Sequence, residues 1–191
     1  LQKAECRRPT LFRRREVVRM QQTAAIYGME GTTLKADERA FFREANPYGF
    51  IVFKRNCETP AQLRALTDSL RELMGRELPI LIDQEGGRVV RMQPPHWRKP
   101  PAAQVFAELA RIDLGQAERA IYLNSRMIAA ELAAAGITVN CVPLADLPAP
   151  GSHDFIHDRL YGSEPQQVIA LAREVARGHI EGGVLPVLKH I

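Results

Sequence analysis

Five short apolar segments alternate with helix-like segments along most of this chain, and this alternation restricts the fold more than any other feature. The apolar segments are rich in β-branched and aromatic residues, as buried strands are. They are TAAIYGM (23–29), GFIVFK (49–54), LPILID (78–83), ITVNCVPLAD (137–146) and VLPVLKH (184–190). Helical patterns occupy 35–45, 59–74, 117–136 and 165–183. Strands that are apolar on both faces and separated by helices predict a parallel sheet covered by helices.

The helix predicted over 59–74 has clear signals at its start. Thr59 is a suitable N-cap, and Pro60 fits the first turn, where its missing N–H costs nothing. Apolar side chains then recur at a spacing of three or four residues, at Leu63, Leu66, Leu70 and Leu73. At the far end of the helix predicted over 117–136, Gly136 is a good C-terminal residue.

Polar side chains follow each predicted strand at its carboxyl end. They are Glu30, Lys54-Arg55-Asn56, Asp83-Gln84-Glu85, Asp146 and Lys189-His190. A doubly wound sheet usually has a glycine-rich first turn, but GMEGTTL lacks the GxGxxG pattern. A (β/α)8 barrel gathers its functional groups at the carboxyl ends of its strands and takes about 250 residues. We therefore predict an α/β fold for this chain of 191 residues: an incomplete (β/α)8 TIM-type barrel of about the first five strand/helix units.

The segment ILIDQEGGRVVRM (80–92) is the strongest candidate for a site. Two acids, two glycines and two arginines directly follow a buried strand. A turn with solvated charges is the simpler interpretation, because Gly-Gly is a common turn signal. The polar groups that end the neighbouring strands favour a functional site instead.

Charge is concentrated at the amino terminus. Residues 1–19 hold seven basic and two acidic residues, and since the whole chain carries +4, residues 20–191 carry −1. A nearly neutral body offers no basic face for a phosphate backbone, so nucleic acid is not an expected partner. A membrane is not expected either, because no segment approaches roughly 18 consecutive apolar residues. We predict a basic extension over 1–19, disordered or non-native, and a barrel portion over 20–191.

The cysteine pattern indicates a reducing compartment. Cys6, Cys57 and Cys141 are odd in number and have no CxxC spacing, so neither a disulfide framework nor a zinc site is indicated. The sequence also shows no export signal, and the cytoplasm is the expected location.

Several motifs together resemble the family-three glycoside hydrolases, and in particular the bacterial β-N-acetylhexosaminidases. The motifs are IDQEGGRVVRM, GFIVFKRNCETPAQLRALTDSLREL, GITVNCVPLADLP, HDRLYGSEPQQV and GVLPVLKHI. This resemblance implies a (β/α)8 barrel and retaining, metal-free hydrolysis without a cofactor. The implied reaction releases terminal β-linked N-acetylglucosamine from cytoplasmic peptidoglycan fragments, and no obligate protein partner is implied.

The resemblance also implies five substrate-binding residues, Asp83, Arg91, Arg159, Lys189 and His190. Charge-assisted hydrogen bonds from such groups suit a pyranose ring, which must be held rigidly. Glu85 is interpreted as structural and left out of the site. The family's histidine acid/base and aspartate nucleophile are expected beyond Ile191. The chain by itself is therefore expected to be an inactive portion of the enzyme.

Other interpretations remain open from the residues alone. An alternative for Arg88 and Arg159 is that they form surface ion pairs. An alternative for His190 is that it is a buried core histidine. The sequence SHDFIHD places His153, Asp154, His157 and Asp158 at a spacing that suits a metal, which would indicate a metal-dependent barrel hydrolase. A truncated product with a vestigial sugar site is a third, non-catalytic possibility.

Overall fold

The computed structural model describes residues 21–148 and 157–190. The described strands form a parallel sheet: β1 (Thr23–Gly28), β2 (Pro47–Val52), β3 (Ile80–Ile82), β4 (Val139–Asn140) and β5 (Leu185–Pro186). The described α-helices are α1 (Ala36–Ala45), α2 (Pro60–Met74), α3 (Ala103–Ile112), α4 (Leu114–Ala134) and α5 (Pro165–Glu181). Short 3-10 helices cover Lys54–Asn56 and His157–Arg159.

The sheet has the strand order β1-β2-β3-β4-β5, and every pairing is parallel. This sequential order is that of a (β/α)8 barrel, whereas a doubly wound sheet reverses its order at a switch point. Within the described residues, β1 pairs only with β2 and β5 only with β4, so the sheet is not closed. The predicted incomplete barrel of five strand/helix units is confirmed.

Local sequence signals account for α2. The Thr59 side chain accepts a hydrogen bond of 3.2 Å from the backbone N–H of Gln62, and Pro60 opens the first turn. Gly75 ends the helix in the left-handed conformation with φ of 63°, which glycine adopts at low cost. The predicted apolar stripe is buried at Leu63, Leu66 and Leu70.

Some predicted boundaries are wrong. The strands predicted over 137–146 and 184–190 reduce to two-residue strands, β4 and β5. Pairing continues past them only irregularly, through the Lys189 N–H to the Pro143 carbonyl at 3.0 Å and the Val187 N–H to the Asn140 carbonyl at 2.9 Å. Pro143 and Pro186 lack the N–H that a regular ladder needs, which explains why the strands are short.

The helix predicted over 117–136 begins earlier than expected. It is α4, which starts at Leu114, and α3 precedes it without having been predicted. The Asp113 carboxylate separates the two helices and caps α4, accepting from the Gln116 N–H at 3.0 Å. The N-cap of α3 is Ala102, which makes no side-chain cap. The usual sequence signal for a helix start is therefore missing there.

Two apolar clusters hold the strands in place. The first joins the sheet to α2 and α4 and includes Phe50, Ile80, Ile82, Leu66 and Leu132. The second lies between α3, α4 and α5 and includes Phe106, Ile121, Leu144, Leu171 and Val175. Burial of each such side chain contributes roughly 1.5–3 kcal/mol. No helix in the described part of the chain combines the length and apolarity needed to cross a bilayer.

Candidate functional site

The loop after β3 turns back on itself and presents its charged residues together. The Glu85 N–H bonds the Val89 carbonyl at 3.0 Å, and the turn between them runs through Gly86 and Gly87, with φ of 115° and 58°. A Cβ on Gly86 would lie 2.1 Å from the carbonyl oxygen of Pro101. Only glycine fits this position, since it has both the required φ and no side chain. The Gly-Gly pair is therefore a turn, and the turn is part of the site.

Gln84 holds the two arms of this loop together. Its side-chain oxygen accepts from the backbone N–H groups of Arg91 at 2.9 Å and Met92 at 3.2 Å, and its amide donates to the Met92 carbonyl at 3.0 Å. Gln84 is fully buried. Every polar atom of its amide group thus serves to fix the backbone that carries Arg91.

A buried contact from β4 fixes Gln84 in turn. The Asn140 side chain accepts from the Gln84 N–H and donates to the Gln84 carbonyl, both at 3.0 Å. His179 on α5 lies behind Asn140, with its Nε2 3.0 Å from the Asn140 amide nitrogen. Its Nδ1 lies 2.9 Å from the Val175 carbonyl oxygen. We call Gln84, Asn140 and His179 the buried amide network.

Above this network, charged side chains from three strand ends form a continuous set of ion pairs. Asp83 accepts from Arg91 at 3.1 Å and from Lys189 at 2.9 Å. Lys189 also lies 2.6 Å from Glu85, which accepts from Arg159 at 2.8 and 2.9 Å. We call these five residues the ion network.

The ion network sets the charge of Asp83. Burial raises the pKa of this carboxyl, but hydrogen bonds and charges from Lys189 and Arg91 outweigh burial and hold the pKa below its ordinary value. The hydrogen bonds of Glu85 raise the pKa of Arg159. Asp83 is therefore an ionised acceptor with fixed geometry, which suits sugar hydroxyl donors and not proton donation.

His190 lies beside this network in a pair with Asp146. Its Nδ1 lies 3.0 Å from the nearer carboxylate oxygen of Asp146, and its side chain is 54% exposed. The peptide bond between Lys189 and His190 is cis. His190 is thus not a buried core histidine, and its exposed ring lies at the same end of the sheet as Lys189.

The structure brings four of the five sequence-predicted residues, Asp83, Arg91, Arg159 and Lys189, into one network and places His190 next to it. Arg159 is no surface ion pair, because its side chain is only 12% exposed. Arg88, in contrast, is an exposed partner of Asp158 at 2.8 Å.

Sequence reasoning left the residues that hold this arrangement out of the site, although it interpreted Glu85 as structural. They are Glu85, Gln84, Asn140, Asp146 and His179. For Gln84, the position directly after Asp83 was an available signal. For His179, the middle of an amphipathic helix gave none.

Most of the candidate metal ligands lie outside the described residues. His153 and Asp154 lie there, and so does the side chain of His157. Asp158 is engaged by Arg88. Within residues 21–148 and 158–190, no three His, Cys, Asp or Glu side chains are placed to share a metal ion.

The carboxylates of the described site are all engaged by basic partners. Retaining glycoside hydrolysis needs a nucleophile and an acid/base group on opposite sides of the scissile bond. Asp83 and Glu85 are both neutralised by cations, and Asp146 is paired with His190. These contacts suit a rigid set of donors and acceptors around a neutral polyhydroxylated ring.

Fold and site together define an α/β protein of the parallel-barrel class with a cluster of charged side chains at the carboxyl ends of its strands. Residues 14–191 match the family model described as glycosyl hydrolase family 3 N terminal domain. The chain belongs to this family.

Named relatives agree with the family match. The chain is 38% identical over 165 residues to a protein of Alkalilimnicola ehrlichii named Beta-hexosaminidase, covering 86% of this chain and 47% of that protein. Crystal structures of NagZ from Neisseria gonorrhoeae, one in complex with zinc ion and one with N-trifluoroacetyl-D-glucosamine, have a TM-score of 0.84 and 30% identity. In both comparisons the matched region covers 89% of this chain and 51% of the NagZ chain. This chain therefore spans about half the length of the curated relatives that it matches.

Proposed function

We propose that the protein to which this chain belongs is a retaining β-N-acetylhexosaminidase, and that this chain supplies the groups that bind N-acetylglucosamine. Asp83, Arg91, Arg159, Lys189 and His190 are the proposed binding residues. The observation that carries the proposal is Asp83, which lies at the end of β3 between Arg91 and Lys189 in a chain of glycosyl hydrolase family 3.

The chemistry of these groups supports a sugar ligand. An ionised carboxylate accepts strong hydrogen bonds from hydroxyls, and the flanking cations donate to ring and hydroxyl oxygens. The groups are also held before any ligand arrives, which reduces the entropy lost on binding. The name Beta-hexosaminidase of the relatives and the N-trifluoroacetyl-D-glucosamine of one related structure support the N-acetylglucosamine class.

The bond-breaking groups belong to a different part of the enzyme in this proposal. The resemblance assigns the acid/base to a histidine and the nucleophile to an aspartate outside the described residues. In the first step the aspartate would form the glycosyl-enzyme bond while the histidine protonates the leaving oxygen. In the second step the histidine would activate the water that hydrolyses this bond. The binding residues hold the ring still through both steps.

The substrate in this proposal is peptidoglycan fragments, and the location of the enzyme is the cytoplasm. The free thiols of Cys57 and Cys141 support a reducing location. The measurement for location is immunodetection of the protein in cytoplasmic and envelope fractions of its source cells. The measurement for substrate is release of N-acetylglucosamine from purified muropeptides, compared with release from chitobiose.

The direct test of the binding site is titration of the chain with N-acetylglucosamine, followed by NMR, with glucose in a parallel titration. We expect saturable shifts with N-acetylglucosamine, located at residues around Asp83 and Lys189, and much weaker shifts with glucose. Equal response to both sugars, or no response to either, would refute the site.

The reaction is tested with the complete gene product and a chromogenic β-N-acetylglucosaminide. We expect hydrolysis with retained anomeric configuration, and no loss of rate after treatment with a strong chelator. A rate that disappears with chelator and returns with added metal would support the metal-dependent alternative. The 191-residue chain alone is expected to show no hydrolysis.

A further inference from the structure

Glu85 lies between Lys189 and Arg159 in the ion network and has the least exposed side chain of the five residues. Its side chain is 7% exposed, compared with 19% for Asp83 and 27% for Arg91. We propose that Glu85 is a positioning residue, which holds Arg159 and Lys189 in the orientation that binds the sugar. This inference rests on the proposed function, because it assigns the two cations to the sugar.

The contacts of Glu85 direct most of the acceptor capacity of its carboxylate to Arg159 and Lys189. One oxygen accepts from Arg159 Nε at 2.8 Å, and the other accepts from Arg159 Nη2 at 2.9 Å and lies 2.6 Å from Lys189 Nζ. This is a bidentate pair with Arg159 plus a second cation, a geometry that fixes the plane of the guanidinium group. Glu85 therefore acts on the ligand through its partners.

The two cations need such an anion because they come from different strand ends. Arg159 lies in the 3-10 helix that precedes α5, and Lys189 follows β5. Two positive side chains that converge on one ligand repel each other, and the Glu85 carboxylate between them offsets this repulsion. Lys189 also lies 2.9 Å from Asp83, so Glu85 is linked to the main sugar acceptor through a single ammonium group.

Stability alone is a poor explanation for this buried arrangement. Taking charges out of water costs free energy that their attraction often only balances, and apolar residues of similar size would stabilise the fold as well or better. Precise placement of the charged groups is the property that apolar residues would not supply. The arrangement is thus better explained by positioning than by stability.

The first measurement is the affinity for N-acetylglucosamine of the 191-residue chain and its Glu85→Gln variant. Glutamine keeps the size but removes the charge, so Arg159 loses its bidentate partner, and we expect the Kd to rise about tenfold or more. The control is Glu77→Gln, which removes a carboxylate that is paired with Arg71 at 2.9 Å and is 87% exposed. Glu77 precedes β3, whereas the site follows the other end of that strand. This control variant should leave the Kd unchanged.

Glu85→Asp covers the case in which the glutamine variant does not fold. It keeps the charge and shortens the side chain by one methylene, so the carboxylate reaches only part of its present contacts. We expect a folded protein with an intermediate Kd. In an Arg159→Lys background the same Glu85→Asp change should raise the Kd by a smaller factor, because the contact that it weakens is already impaired. Equal factors in both backgrounds would overturn the inference.

A sugar-free measurement separates this inference from the proposed function. The Nε–H signal of Arg159 in 15N spectra, assigned with Arg159→Lys, should exchange slowly with water in the wild type and quickly in Glu85→Gln. A protected signal that Glu85→Gln releases, without any sugar binding by the wild type, would refute the proposed function and leave the positioning role supported. Sugar binding that Glu85→Gln and Glu85→Asp leave unchanged would overturn the positioning role and leave the proposed function.

Discussion

Mild acid should destabilise this fold through His179. The ring is 1% exposed, and its Nδ1 faces the Val175 carbonyl, which only accepts, so Nδ1 carries the proton. Nε2 then accepts from the Asn140 amide, whose orientation is fixed by its two bonds to Gln84. A second ring proton, on Nε2, would point at the amide N–H of Asn140, so the protonated ring would lose this hydrogen bond. Burial lowers the pKa of His179 below its ordinary value, against a smaller opposing effect of the Val175 carbonyl.

The size of the effect follows from proton linkage. The unfolded chain takes up a proton at His179 as the pH falls through about 6.5, and the folded chain does so only at a lower pH. Between these values the unfolded state holds more protons, so the free energy of unfolding falls by at most about 1.4 kcal/mol per pH unit. From pH 7.5 to pH 5.0 the loss is therefore at most about 2 kcal/mol, the limit reached when folded His179 takes up no proton over this range.

The assay is urea unfolding followed by far-UV circular dichroism at pH 7.5 and pH 5.0. His179→Gln is expected to be less stable than the wild type at pH 7.5, because it loses packing and one or both hydrogen bonds, but to lose less stability on acidification, by up to about 2 kcal/mol. His96→Gln, in an exposed loop, is the matched control and should keep the wild-type pH dependence. An equal loss in the wild type and His179→Gln would refute the reasoning.

Three further predictions concern the site, the amino terminus and the sheet edge. Arg91→Ala should raise the Kd for N-acetylglucosamine about tenfold with little change in Tm, whereas Arg64→Ala, which removes an exposed ion pair of α2, should change neither. Deletion of residues 1–19 should leave Tm and sugar affinity unchanged, since a basic, aperiodic segment has little to pack with, and a drop of several degrees would contradict this. The chain should self-associate in sedimentation velocity through the exposed edge of β5. Leu185→Lys at this edge should reduce the association more than Ile112→Lys on α3, although Leu185 is 60% and Ile112 86% exposed; equal effects would count against edge pairing.

The strand-end pattern predicted that Asp83, Lys189 and His190 lie at one end of the sheet, whereas Arg91 and Arg159 were implied only by the family resemblance. Parallel strands in sequential order bring their carboxyl ends together, so Asp83 and Lys189, 106 positions apart, lie 2.9 Å apart as the alternation of strands and helices implies. The apolar runs alone overestimated the lengths of β4 and β5, and the prolines within the runs, which interrupt the ladder, were the sequence signal that was not used.

The placement of Glu85 could not be derived from local pattern. The local sequence around a carboxylate that follows a strand is the same whether the carboxylate faces water or two cations. Which of the two applies to Glu85 depends on Arg159, which is 74 positions away. The same holds for Asn140, whose polar side chain in an apolar strand has meaning only once Gln84 and His179 lie against it. Long-range partners decide the role of a buried polar group.

Two layers of polar groups under and at the site have different tasks, and together they explain its rigidity. The buried amide network pairs neutral groups with each other, so it fixes the backbone of the loop after β3 without placing a net charge in the core. The ion network above it keeps its charges where partial exposure lowers the cost of desolvation, as in Asp83 and Arg91 at 19% and 27% exposure. The neutral layer thus sets where the loop lies, and the charged layer sets which way its side chains point. A ligand that binds there meets donors and acceptors already in place, so little of its binding free energy is spent on ordering them.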